Sequence, residues 1–243
     1  MEKKGISQEA LKLIACMTML LDHLAVINVM GPIFGTHHGM RLEIYEILRL
    51  IGRLAFPIYC FLLTEGSFYT GSPLRYGLRL VICGLLSELP YDFALWGGFN
   101  WQHQNVMVTL FLGFIALEVM KRCSTLPLKL LAAVPFALLA EFAGGDYGAE
   151  GIMLVALFAL TRGIPHQRLI QFLGMWLIFS PGHIMFLNWT GGIQITTQEW
   201  AVLALIPIAA YSGEKKTSNR LLQWGFYLFY PFHLCLLSFI GRL

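Results

Sequence analysis

Charge is scarce in this chain. Asp, Glu, Lys and Arg make up 13% of its 243 residues and the hydrophobic set 57%, whereas a soluble domain carries about 25% charged residues. A globular fold of this length cannot cover so much apolar surface with so few charges, and lipid is the solvent that removes the difficulty. The net charge of +3 is small and sits at the ends of apolar segments, which excludes a nucleic-acid-binding face. Cys16, Cys60, Cys83, Cys123 and Cys235 have neither zinc nor disulfide spacing, and four of the five lie inside apolar runs, so no metal site is expected. Internal repeats, linkers and low-complexity stretches are absent, leaving one domain over residues 1–243. No glycine-rich phosphate loop is present. The first apolar run is too long for a cleavable signal peptide and carries Asp22 and His23.

What the chain does have is a succession of apolar runs. A bilayer core of about 30 Å takes about 20 helical residues. Runs lie near 9–31, 45–69, 74–97, 104–121, 126–143, 147–162, 167–189, 196–211 and 219–241, separated by breakers such as Gly71-Ser72-Pro73, Gly97-Gly98, Gly144-Gly145 and Gly163-Ile164-Pro165. The pattern predicts an all-α polytopic membrane bundle of about nine transmembrane helices. The runs 147–162 and 196–211 are short, as tilted or half-crossing helices are. Nine crossings set the N-terminus and every second loop on one side. That side carries Lys3, Lys4, Arg75, Lys121, Arg122, Lys129, Arg162, Arg168, Lys215, Lys216 and Arg220; the other carries Arg41 and Arg242. The bias places the N-terminus in the cytoplasm and the C-terminus outside.

Ionisable residues inside such runs are costly and mark function by default. At 1.5 Å per residue, His23 lies about 10–12 Å below the external face and Arg53 at similar depth. Glu88, His183 and His233 fall in the same third, with Asp92, Glu141, Asp146 and Glu150 near the external rim. Lys12, Glu65, Arg79 and Glu118 lie toward the cytoplasm. A structural reading competes. Arg49 and Arg53 stand one turn apart on one run, Glu88 and Asp92 on the next, and suit two interhelical ion pairs; Glu65 with Arg79 suits a third. Asp22 and His23 point about 100° apart on a helix, so Asp22 does not cap His23, and each needs its own partner.

Four motifs carry a resemblance. They are Leu-Lys-Leu-Ile-Ala-Cys-Met-Thr-Met-Leu-Leu-Asp-His at 11–23, Ile-Gly-Arg-Leu-Ala-Phe-Pro-Ile-Tyr at 51–59, Gly-Asp-Tyr-Gly-Ala-Glu-Gly-Ile at 145–152 and Phe-Tyr-Pro-Phe-His-Leu at 229–234. In this order, across essentially the whole chain, they resemble the TraX family, whose founding members are conjugation-associated acetylases of the pilin N-terminus. The first motif also resembles the wider acyltransferase-3 type of membrane acyltransferase, in which a basic residue, ten intervening positions and a histidine occupy the first helix. Lys12 and His23 keep that spacing, with Lys in place of the commoner Arg. Arg75 and Arg79 resemble the same group's paired arginines. The resemblance implies acyl transfer from acetyl-CoA, made in the cytoplasm, to an acceptor reached through the membrane domain of a bacterial inner-membrane protein.

The residues suit that chemistry. A base must take a proton from the acceptor amine or hydroxyl, and histidine is the usual choice; His23 comes first and His233 second. Asp22, Glu88 or Asp146 would orient the imidazole. Arg53 would steady the developing oxyanion. Lys12, Arg75 and Arg79 would hold the phosphates of the acyl-CoA. The acceptor is a pilin-like peptide by resemblance, or another peptide, a glycan or a lipid. A proton-coupled small-molecule transporter would use the same buried Asp, His and Arg, although neither repeated halves nor a matched pair of broken helices is visible. A haem held by His23, His183 and His233 is the weaker rival.

Overall fold

The computed structural model describes residues 5–27, 38–180, 197–214 and 220–240. Its helices are α1 (Gln8–Val26), α2 (His38–Gly52), α3 (Ala55–Tyr69), α4 (Pro73–Leu95), α5 (Val106–Met120), α6 (Leu126–Phe142), α7 (Gly148–Leu160) and α8 (Gln167–Phe179). A 3-10 helix (Thr197–Ala204) runs into α9 (Leu205–Ala209), and α10 (Arg220–Ile240) follows. Among the described residues there is no strand, so the fold is all-α as predicted. Every expected run falls on helical segments, the run 45–69 being split between α2 and α3 and the run 196–211 between the 3-10 helix and α9; the tails expected over 28–31 and 181–189 lie outside the described residues. Among the described residues, one helical run, Ile44–Tyr69, is by length and composition long and apolar enough to cross a membrane, while Val106–Met120, Gly148–Leu160 and Gln198–Ala209 are apolar but shorter.

Local chemistry sets the ends. Ser7 caps α1 by accepting from the Ala10 N–H at 3.3 Å, and Asn105 caps α5 by accepting from the Met107 N–H at 2.9 Å. Proline opens α4 and α6, where its missing N–H costs nothing. Pro57 divides the second expected run: its ring conflicts with the carbonyl of the residue four back, Arg53, and the helix turns at Arg53 and Leu54 before α3 begins.

The chain forms two compact units, Met1–Tyr59 with Arg168–Phe226 and Leu236–Leu243, and Cys60–Gln167 with Tyr227–Cys235. In the first, α1 packs on α2. Its N-terminal segment is stitched to the residues after α9: Ile6 donates to Ala210 O at 2.8 Å and accepts from Ser212 N at 2.9 Å.

The second unit is built on α5, α6 and α7. Ala116, Ala133, Ala140 and Ala156 line its core with Leu112, Met120 and Ile152. Small side chains let helices approach closely, the usual device where no water drives association. At one end the loop before α5 is bonded to the loop before α7, Gln104 N to Gly144 O at 2.9 Å and Asp146 N to Gln104 O at 3.0 Å. Gly144 has φ 66°, and a Cβ there would strike the Gln102 carbonyl, so only glycine fits. At the other end Lys121 binds Glu118 at 2.7 Å, and Arg162 binds Glu65 at 2.8 Å.

The outward faces are apolar. Along α4, Leu74, Leu78, Leu85 and Leu89 are 84%, 55%, 73% and 54% exposed. Leu131, Leu138 and Phe142 on α6, Leu173 and Leu177 on α8, and Leu228 and Phe232 on α10 are exposed likewise.

Candidate functional site

In the first unit the turn forced by Pro57 sets Arg53 at a helix end, where its guanidinium is spread over three partners. Nη2 donates to Asp22 Oδ1 at 3.0 Å, Nη1 to Gln198 Oε1 at 2.7 Å and Nε to the Arg49 carbonyl at 3.3 Å. Arg49, one turn earlier, donates Nη1 to Asp22 Oδ2 at 2.7 Å. Asp22 is thus a carboxylate forked by two guanidiniums, and the cluster keeps a net positive charge. The pairing differs from the one expected: Arg49 and Arg53 converge on Asp22. Among the described residues Glu88 and Asp92 form no ion pair.

His23 is half-buried in the last turn of α1, and its carbonyl accepts the Ile27 N–H at 2.9 Å. Lys12 lies on the same helix with its Nζ 5.4 Å from the Phe226 ring. They stand eleven positions apart with ten residues between them, about three turns, so they share a face about 16 Å apart along the helix.

The second unit holds the other candidates. Glu88 and Asp92 stand one turn apart on α4. Asn105 clamps Glu88: its side-chain and backbone N–H groups both reach Oε2, and Nδ2 also donates to Gly84 O at 3.0 Å. Asp92, fully buried, accepts the Asn100 N–H on Oδ2 at 3.1 Å. Glu88 Oε1 and Asp92 Oδ1 are buried with no hydrogen-bond partner among the described residues. Asp146 sits in the stitched loop before α7, where its carbonyl accepts from Thr109 Oγ1 at 2.5 Å.

His233 is buried on α10. Its Nδ1 donates to the Phe229 carbonyl at 2.7 Å and its ring stacks on Phe229 at 4.7 Å. This bond fixes the neutral tautomer with Nε2 as the acceptor nitrogen. Pro231 frees the Tyr227 carbonyl four residues back, and Cys83 Sγ takes it at 3.3 Å. Arg79 lies between two rings, Cζ 5.3 Å from Tyr76 and 5.9 Å from Tyr227, with Nε on the Tyr227 hydroxyl at 3.4 Å. Arg75, one turn earlier, is exposed. Glu65 pairs with Arg162 and not with Arg79 as expected, and Tyr69 adds a bond to Arg162 at 3.0 Å.

The described geometry therefore joins Asp22 to Arg49 and Arg53 in the first unit, and holds Glu88 on Asn105 and the Asp146 carbonyl on Thr109 in the second; His183 lies outside the described residues. Sequence reasoning directed at charges passes over neutral partners: Asn105, Gln198 and Tyr227. Asn105 is readable, since Asn directly before an apolar run is an N-cap signal. Gln198 and Tyr227 carry no such local mark.

Compared with known proteins, the chain matches the family described as TraX protein over residues 7–241, which takes in every site residue named above. A curated protein of Dichelobacter nodosus, named probable fimbrial assembly protein FimC, serogroup H1, is 27% identical over 237 residues, covering 93% of this chain and 92% of that protein. No solved structure matches the chain.

Proposed function

The chain belongs to the TraX family, and on that premise we propose that it is a multi-pass bacterial inner-membrane protein that transfers an acetyl group from acetyl-CoA to a pilin-like acceptor. The membrane part is supported by the inverted surface. The exposed stripe from Leu74 to Phe93 on α4 is about 28 Å long at 1.5 Å per residue, close to the bilayer core of about 30 Å. Exposed apolar area on this scale is a liability in water. Contacts between chain ends fit as well. Ile6 with Ala210, Gln104 with Gly144, Glu65 with Arg162, and Lys121 with Ser67 each join ends that the alternation of basic loops assigns to one side.

The observation that carries the chemistry is on α1, where Lys12 and His23 share one face three turns apart. A base and a phosphate-holding cation on one helix suit a thin cofactor arm lying along it. In this reading the acceptor nitrogen or oxygen attacks the thioester carbonyl carbon. Its bond to carbon forms as the carbon–sulfur bond breaks, and its proton passes to His23 and then to the departing thiolate. The negative end of α1 faces the charge that His23 acquires. The positive cluster of Arg49, Arg53 and Asp22 steadies the oxyanion. Lys12 draws the phosphates from the first unit, a role for which Arg75 and Arg79 of the second unit are equally suited. The name of the Dichelobacter nodosus relative supports an acceptor of the pilin class.

The test is mass spectrometry of pilin-like peptides after incubation of the full chain, in liposomes, with isotope-labelled acetyl-CoA. Labelled acetyl on the peptide is expected. His23→Ala should lower turnover about 10²–10⁴-fold with acetyl-CoA binding retained. Full activity in a folded His23→Ala protein would transfer the base role to His233, and absence of label from every acceptor class would overturn acetyl transfer.

A further inference from the structure

We infer that the loop joining α4 to α5, residues 96–105, is an interfacial anchor that seats Trp96, Phe99 and Trp101 in the ester-carbonyl layer of the outer leaflet. This rests on the membrane part of the proposed function and is independent of the acetyl chemistry.

The loop prolongs the apolar stripe of α4. Leu85, Leu89 and Phe93 lead at helical spacing to Trp96, and all four are exposed. At 1.5 Å per residue Trp96 lies about 33 Å beyond Leu74 along the axis, just past a bilayer core of about 30 Å. Phe99 and Trp101 follow, edge to face at 4.6 Å, and Trp101 is 79% exposed. The Trp96 ring stacks on His103 at 4.5 Å.

These rings are exposed on an ordered backbone. Asn100 N donates to Asp92 Oδ2 at 3.1 Å, Gln102 N to Asn100 Oδ1 at 2.9 Å and Gln104 Nε2 to the Trp101 carbonyl at 3.0 Å. Gln104 N is tied in turn to Gly144 O at 2.9 Å. With the backbone fixed, the burial of the rings must come from a partner.

Two features choose that partner. From Phe93 to Leu117 the sequence has no Asp, Glu, Lys or Arg, so the loop has no fixed charge to draw a charged headgroup or a charged protein surface. Arg75 and Arg79 stand at the other end of α4. The indole N–H of Trp101 makes no hydrogen bond to the described residues. A flat apolar ring with a spare donor suits a layer that is apolar on one side and offers ester carbonyls on the other, where tryptophan concentrates in membrane proteins. The headgroups above that layer are wet, so exposed Gln102 keeps its access to water.

The experiment uses the full chain in phosphatidylcholine vesicles whose acyl chains are brominated either near the carbonyls or near the chain ends, with iodide as the quencher in water. The emission lost on Trp101→Phe reports Trp101. Bromine near the carbonyls should remove most of that emission, bromine near the chain ends much less, and iodide little. Replacing part of the lipid by phosphatidylglycerol should leave this order and its size unchanged. Leu85→Trp, midway along the stripe in the Trp101→Phe protein, is the control and should be quenched best by bromine near the chain ends. Trp96→Phe gives the same measurement for Trp96 if Trp101→Phe fails to fold. Emission that iodide removes and neither brominated lipid does overturns the anchor and leaves the rings to a partner in water. Equal quenching by both brominated lipids overturns it as well, because the ring then lies below the carbonyl layer. Quenching that grows with phosphatidylglycerol overturns the choice of an uncharged layer. A Leu85→Trp reporter untouched by either brominated lipid defeats the membrane reading; a quenched reporter beside an iodide-quenched Trp101 defeats this inference alone.

Discussion

Gly52 packs so closely on Asp22 that a Cβ at position 52 would overlap the Asp22 carboxyl group. The missing side chain is what lets α2 approach α1 near enough for Arg53 Nη2 to reach Asp22 Oδ1 at 3.0 Å. Gly52→Ala should therefore displace the carboxyl and cost about 1–3 kcal/mol, the usual cost of overpacking. Gly71 supplies the control, because a Cβ added there would meet nothing within 4 Å: Gly71→Ala should stay within about 0.5 kcal/mol of the parent. Thermal unfolding in detergent separates the two, and equal melting of both variants would show that the space beside Gly52 is not needed.

The fork itself makes a second prediction. Asp22 serves two guanidiniums whose side chains are only 22% and 10% exposed. Asp22→Asn removes the carboxylate that both guanidiniums share and should destabilise the protein by about 3–5 kcal/mol, as when one partner of a buried pair is lost. Adding Arg49→Gln should recover part of that loss, because it removes one of the two charges that Asp22 balanced. A double-mutant cycle in chemical unfolding measures the coupling, and strict additivity would show that Arg49 and Asp22 act independently.

The positions of the helices are legible in the sequence because apolar runs and breakers obey local rules. Gly144 marks a turn that only glycine can make, and Asn105 stands where an N-cap belongs. Partner choice is not legible, because it depends on which helices lie side by side. Proximity in sequence matches Glu65 with Arg79 on the next helix, yet the folded chain gives it Arg162, 97 residues on. The same rule sets Arg49 and Arg53 against Glu88 and Asp92, yet Asp22 takes both arginines. The turn at Arg53 follows from Pro57 four residues later, a signal present in the sequence but masked by the continuous hydrophobicity of the run. Neutral polar groups such as Gln198 leave no trace where charge alone is weighed.

Topology gives a third prediction. The alternation of basic loops sets Gly71 in the cytoplasm, and Gln102 and the C-terminus outside. Gln102 is exposed and Gly71 has open space around it, so a cysteine at either site should react freely. In intact cells a membrane-impermeant thiol reagent should label Gln102→Cys and spare Gly71→Cys, in a background whose exposed native Cys235 is replaced by Ser. A reporter fused after Leu243 should be active outside. A cytoplasmic reporter would mean an even number of crossings.

The last prediction concerns the cation that the proposed cofactor meets. Arg79 has its Cζ 5.3 Å from the Tyr76 ring and 5.9 Å from the Tyr227 ring, and only its Nε is bonded, to the Tyr227 hydroxyl. Its Nη1 and Nη2 make no hydrogen bond to the described residues and remain available for a planar, two-pronged grip on phosphate. Lysine has no fork to present. Arg79→Lys should therefore lose acetyl-CoA affinity almost as fully as Arg79→Ala, about tenfold or more for a charge-assisted bond. Arg75→Ala should lose less, because Arg75 is exposed and its charge is screened by solvent. Acetyl-pantetheine, which lacks the phosphates, should bind all of these proteins alike. Calorimetric titration of both ligands decides the matter. If Arg79→Lys binds acetyl-CoA as the parent does, a point charge suffices and the guanidinium fork is not used; if acetyl-pantetheine weakens in parallel, Arg79 shapes the helix packing and does not hold the phosphates.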